Sequence, residues 1–144
     1  MANYNFQKDL LLGKEVEKEA LEKLKKWLKI KSVVFNTNYK YDFLVELENS
    51  SRTYEVKTDL MCGQTGNTVV EYESRGKLSG ISTTEADFWI YKFDDGFYQI
   101  PTKKLKEVIK EQLYFREVNG GDRGSNTKMY LFRLAVLKKR MQKL

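Results

Sequence analysis

The stretch YDFLVELENSSRTYEVKTD, residues 41–59, constrains this chain more than any other segment. Two alternating runs flank the turn-forming residues ENSS, the pattern of a β-hairpin. Alternate side chains of a strand share a face. Tyr41, Phe43, Val45 and Leu47 therefore fall on one side with Tyr54 and Val56 across from them, and this side is the expected core face. The other side carries Asp42, Leu44 and Glu46 beside Thr53, Glu55 and Lys57. The parity holds if residue 42 pairs with 57 and 44 with 55, through a two- or four-residue loop at ENSS. In that register Asp42 faces Lys57 with about 5 Å between their Cβ atoms, and Glu55 lies on the diagonal. Two carboxylates and an ammonium then share one small patch.

A cross-strand salt bridge on a solvated face accounts for the same residues. Three features favour a chemical site. The apolar complement on the opposite face is clean. A helix carrying a misplaced acid precedes the hairpin: residues 14–30, KEVEKEALEKLKKWLKI, put Val16, Ala20, Leu21, Leu24, Trp27 and Leu28 on one arc. Glu17 shares the line of Leu21, Leu24 and Leu28. A first-turn carboxylate favours the helix dipole, but one aimed at a core requires a partner. Finally, the chain contains 0 histidines, which removes histidine-based triads and the usual catalytic zinc sites. Acid–base work would fall to carboxylates, lysine, tyrosine or a metal-associated water.

The remaining pattern predicts a single α/β domain over residues 1–144, with a mixed central β-sheet flanked by helices. Residues 32–38 and 67–73 read as strands, and DFWIYKF and FYQIP form a hairpin around DDG. Ser82 and Glu85 have capping-box spacing, so a short helix is expected to start there. Pro101 opens a basic amphipathic helix, residues 119–128 read as a flexible loop, and the last stretch is expected to be helical toward its end. Trp89 and Tyr91 read as core. The single cysteine, Cys62, excludes an intramolecular disulfide and fits a reducing compartment. No apolar run is long enough for a membrane span and no signal-peptide pattern opens the chain, so a soluble, cytoplasmic protein with no membrane partner is expected.

Charge is unevenly placed. Residues 103–144 hold 12 Lys/Arg against 4 Asp/Glu, whereas residues 1–102 hold 14 against 16. A basic segment beside an acid-bearing core suits a polyanion partner; a solvated basic helix explains it equally. Arg75, Lys77, Ser79, Ser82, Thr83 and Thr84 surround the expected helix start, a setting for phosphate or simply a capped turn. Arg123, Ser125, Asn126 and Lys128 could contact a nucleic-acid backbone, or belong to a solvated loop. GGDRGSNTK lacks the GK[ST] ending of a P-loop, so no nucleotide cofactor is expected. Glu71 and Glu73 either flank the patch or form the polar side of a half-buried strand.

An aspartate at the start of one strand followed by Glu55-Val56-Lys57 on the next resembles the PD-(D/E)XK nuclease superfamily. The helix GKEVEKEA, with its early glutamate, is similar to that of Holliday-junction-resolvase-like members, and Tyr41 stands where the motif's name has proline. The resemblance spans residue 13 to about residue 93. TGNTVVEYESRGKLSGISTTEADFWIYKF and NGGDRGSNTKMYLF look like stretches of small phage-encoded members. The resemblance implies a restriction-endonuclease-like core in the helix–strand–hairpin–helix–strand order, and metal-dependent cleavage of DNA, with branched DNA and a homodimer by analogy with the resolvases. It also implies Mg²⁺ or Mn²⁺ held by Asp42, Glu55 and the Val56 carbonyl, Lys57 orienting water, and Glu17 as an outer ligand, roles that hard oxygen donors can fill. A non-catalytic nucleic-acid-binding module on the same scaffold and a nuclease acting on RNA remain the alternatives.

Overall fold

Helix α1 spans Phe6–Leu24 rather than residues 14–30. The computed structural model of the protein describes residues 6–36, 40–121 and 123–144. Ala20, Leu21 and Leu24 are buried, as the apolar arc requires. Trp27 falls in the turns that follow Leu24 and stays exposed. Strands β1 (Ser32–Phe35), β2 (Phe43–Glu46) and β3 (Ser51–Thr58) form an antiparallel meander. Residues 37 and 38, the expected end of the first strand, lie outside the described residues. Next come α2 (Cys62–Thr65), β4 (Asn67–Ser74), β5 (Lys77–Leu78) and a 3-10 turn at Gly80–Ser82. The chain continues through β6 (Phe88–Phe93), β7 (Gly96–Pro101), α3 (Thr102–Lys110), β8 (Arg116–Gly120), β9 (Thr127–Arg133), α4 (Leu134–Lys138) and β10 (Gln142–Lys143).

The expected mixed sheet is present, in the order β1-β2-β3-β6-β7-β10, with β3 and β6 as its parallel pair. A second, antiparallel sheet in the order β5-β4-β9-β8 was not anticipated. Together with the helices they make one compact α/β domain, and among the described residues no helix is long and apolar enough to cross a membrane.

The centre of the mixed sheet is buried on both faces. Against α1 lie Phe43, Val45, Tyr54, Ile90 and Phe97. The opposite face, with Trp89, Tyr91, Phe93, Tyr98 and Ile100, packs with Val70 and Phe132 of the second sheet and with Leu105, Val108 and Leu137 of α3 and α4. Glu55 and Lys57 thus lie at the margin of this second core, with Glu55 the more buried of the two. Tyr41 departs from its expected place and packs against this second core, because the ladder of β2 begins only at Phe43.

The hairpin register also differs. Phe43 pairs with Tyr54 and Leu44 with Thr53, two residues from the expected pairing. Leu47 N–H donates to Ser50 C=O at 2.8 Å, closing the turn over Glu48 and Asn49. Aromatic stacking supports this register: Phe43 on Tyr54 at 5.3 Å and Tyr54 on Phe88 at 5.4 Å. Such pairs add about 1 kcal/mol each beyond burial. A slip of two preserves the faces within the ladder, but the regular pairing ends at Phe43; Asp42 lies beyond it, its N–H on Tyr54 C=O and its carboxylate on the Val56 N–H.

Three further expectations are corrected. No helix starts at Ser82: its hydroxyl donates to Tyr72 C=O, and Glu85 forms an ion pair with Lys40 at 3.0 Å instead of closing a capping box. The C-terminal stretch is helical only over α4, then ends in β10 paired with β7. The 119–128 segment is docked, since Ser125 and Thr127 are buried and Arg75 N–H donates to Ser125 C=O at 2.7 Å. The β6–β7 hairpin and the helix after Pro101 stand where expected.

The 3-10 turn is pressed onto β4 at Gly80. Its φ of +51° is left-handed, and a Cβ there would lie 2.2 Å from the Glu71 carbonyl oxygen. Gly66 shares the left-handed conformation, φ +71°, but faces open space. Gly66→Ala should cost about 1 kcal/mol from backbone strain alone. Gly80→Ala should cost more, roughly 2–4 kcal/mol, because β4 must also move. Urea unfolding of the two variants checks the difference; equal losses would mean that the close approach is not maintained in solution.

Candidate functional site

Asp42 sits where two strands part. Its own N–H donates to Tyr54 C=O at 2.8 Å, and its Oδ2 accepts the Val56 N–H at 2.7 Å. A side chain thus takes over the ladder where β2 ends. In a strand, N–H and C=O of one residue point to the same edge, so the Val56 carbonyl faces the edge that Asp42 occupies. Glu55 and Lys57, on the same face of β3, form an ion pair at 3.2 Å. Lys57 Nζ also lies 5.5 Å from the centre of the Trp89 ring, which supports it from below.

Helix α1 adds Glu17, whose carboxyl hydrogen-bonds the Asp42 carboxylate and feels the charge of Glu55. The helix therefore does bring its core-facing acid to the hairpin. Burial, then the Asp42 and Glu55 charges, push the Glu17 carboxyl up to about 7. Asp42 is also raised, chiefly by burial, against the opposing pull of the Val56 N–H, Lys57 and Glu17. Glu55 is raised by burial as well; Lys57 opposes the shift, and the charges of Asp42 and Glu71 add to it. The shared cause is desolvation of neighbouring carboxyls.

Glu55 and Lys57 open into a cleft of about 640 Å³ whose other wall comes from β4, β5 and the 3-10 turn. Lys77, Ser79 and Thr83, expected to contact phosphate, line it together with Glu71 and Thr84. The Ser79 hydroxyl oxygen is itself buried and has no hydrogen-bond partner among the described residues. Glu71 thus flanks the patch, whereas Glu73 is held by Lys128 at 3.1 Å. That ion pair occupies Lys128, and Arg75 and Arg123 are exposed positions outside the cleft lining. Of the basic tail, Lys138 is engaged by Asp95 at 2.9 Å. Gly80 and Trp89 also line the cleft, and neither carries a chemical signature in the sequence.

The oxygen donors suit a hard divalent cation. Among the described residues, however, no three His, Cys, Asp or Glu side chains already form a group that could hold one. Glu17 is turned to Asp42 and Glu55 to Lys57. Comparison with known proteins returns no matching family model, no matching curated protein and no matching solved structure.

Glu17 gives a pH test. A carboxyl whose folded value lies above its ordinary 4.5 stabilises the fold fully below that pH, and the contribution is lost as pH rises through about 7. The urea midpoint of metal-free protein should therefore fall between about pH 5 and about pH 8. Glu17→Gln, always neutral, should flatten part of that slope, while Asp42 and Glu55 keep contributions of the same sign. An unchanged slope would place Glu17 outside the coupled group.

Proposed function

We propose that the protein is a metal-dependent endonuclease that hydrolyses phosphodiester bonds in DNA, on a restriction-endonuclease-like core of the PD-(D/E)XK type. The observation that carries this reading is the meeting of Glu17, Asp42, Glu55 and Lys57, drawn from a helix and two adjacent strands, beside a cleft lined by Lys77, Ser79 and Thr83. Asp42 and Glu55, with the Val56 carbonyl, would hold Mg²⁺ or Mn²⁺, and Glu17 would stand outside them. Such an ion supplies Lewis acidity, neutralising charge on a phosphoryl oxygen and making water a stronger acid.

The protein's own groups account for the rest. Lys57, braced by Glu55 and Trp89, points its ammonium at the carboxylates and would orient a water and meet charge developing on the phosphate. Lys77 and Thr83, with Ser79 beside them, would hold a phosphate against the opposite wall. The Val56 N–H holds the Asp42 carboxylate in its orientation. Arg75 and Arg123, exposed beyond the cleft, would touch the backbone farther along. Branched DNA as substrate and a homodimer as the working form follow from the family analogy.

The self-satisfied carboxyls favour one second reading: a nucleic-acid-binding module that keeps the scaffold without catalysis. Purified protein with Mg²⁺ on supercoiled, single-stranded, flap and four-way DNA, and on RNA, decides between them. The nuclease should cut DNA, stop with chelator, and lose roughly a thousandfold or more in Glu55→Gln. Lys57→Met should lose about a hundredfold while retaining divalent-ion binding by calorimetry. Binding without cutting under every metal would establish the module, and RNA-only products would move the substrate.

A further inference from the structure

The outer face of the second sheet is left unused by that reading. Directly opposed residues of an antiparallel sheet project to one side. The rows Asn67–Arg133, Val69–Leu131–Arg116 and Glu71–Met129–Val118 therefore share a face. The other face carries Thr68, Val70 and Phe132, all buried in the core. The rows thus look outward: their middle is half-buried and Arg116 and Arg133 are exposed.

At the end of this face stands Phe115, 53% exposed. The Arg133 guanidinium carbon lies 3.9 Å from the ring centre and that of Arg116 lies 5.7 Å away. Arg133 also donates to Asn67 Oδ1 at 3.3 Å. No ion pair involves either arginine among the described residues. A water-exposed ring beside two uncompensated guanidiniums matches a base and its phosphates. An aliphatic strip of Val69, Leu131, Met129 and Val118 adjoins it.

The face is continuous with the cleft, because Val69, Glu71 and Met129 line a groove together with Lys57. From Met129 to Arg133 the strand runs about 13 Å, on the order of two to four nucleotides. A duplex keeps its bases stacked inside and offers nothing to an exposed ring and an aliphatic strip. An unpaired strand offers both.

We propose that this outer face binds an unpaired nucleic-acid strand leaving the cleft, with Phe115 stacking on a base and Arg116 and Arg133 holding phosphates. The proposal rests on the cleft being a nucleic-acid site. The test is fluorescence anisotropy in chelator, so that nothing is cut, with labelled oligo(dT) and a duplex of equal length. Phe115→Ala should weaken oligo(dT) binding by about 5- to 100-fold and duplex binding by less than about twofold. Arg116→Gln with Arg133→Gln should reduce the magnitude of the slope of log K against log salt by about 1.4 on oligo(dT). Because Phe115 is exposed, its truncation should leave the urea midpoint near wild type; the arginine pair gives an independent reading if it does not.

Unchanged oligo(dT) binding in both variants would overturn this surface while leaving the nuclease reading to the cleavage assay. An equal loss on duplex would overturn the preference for an unpaired strand. Wild-type protein that binds no oligo(dT) in chelator and neither binds nor cuts nucleic acid with Mg²⁺ would overturn both readings together.

Discussion

The Asp42 carboxylate bound to the Val56 N–H is the contact on which the site depends. A buried strand donor must find an acceptor where its ladder ends. Had β2 run two residues further, its backbone would have closed the ladder and covered the edge of β3 beyond Tyr54. A side chain accepts the bond instead, so the Val56 N–H is satisfied while its carbonyl faces the same edge. The same bond fixes the carboxylate and favours its ionised form against the burial that raises its pKa. Structural satisfaction and chemical availability are met by one residue.

Three acids brought together out of water are costly unless their charge is answered. Here the answers are local. Burial and the neighbouring charges favour the protonated form of Glu17, and the Lys57 ammonium is drawn to Glu55. Glu17 is turned to Asp42, Asp42 to the Val56 N–H and Glu55 to Lys57, and no three-ligand group is formed among the described residues. On the nuclease reading, the proton and the ammonium occupy the electrostatic place of a divalent ion. Proton and ion would then compete for the same oxygens, as deprotonation-linked metal binding requires.

The site was more legible in the sequence than the fold around it. Period-two alternation put Glu55 and Lys57 on one face and helical periodicity aimed Glu17 inward, as local backbone geometry sets them; Asp42 comes near them from beyond the end of the β2 ladder, where its carboxylate takes the Val56 N–H. Register was not legible, since a slip of two residues leaves every ladder face unchanged; the turn closed by Leu47 and Ser50 and the Phe43–Tyr54–Phe88 stacking accompany the observed pairing. The second sheet was hidden for another reason. The pairing of β4 with β9 joins segments some sixty residues apart, and neither segment reveals its partner locally. The capping-box spacing at Ser82 misled because the Tyr72 carbonyl, brought close by tertiary packing, outcompeted the helix for the hydroxyl.

That hidden sheet changes what the cleft can be. Parallel strands require a crossover, usually a helix lying across the sheet face. Between β3 and β6 the chain instead makes α2, β4, β5 and a 3-10 turn, and β4 recruits β9 and β8 from the C-terminal part. The cleft's second wall is therefore the margin of a sheet, with a face of its own beyond it. The charge asymmetry of the chain maps onto this arrangement. Glu17, Asp42 and Glu55 come from the slightly acidic first 102 residues, while Arg116 and Arg133 come from the basic remainder. An acidic centre alone would repel a polyanion; cations on adjoining surfaces offset that repulsion without entering the centre and neutralising its carboxylates. Long-range strand pairing, which a crossover helix would not have required, is what places the two charge populations side by side.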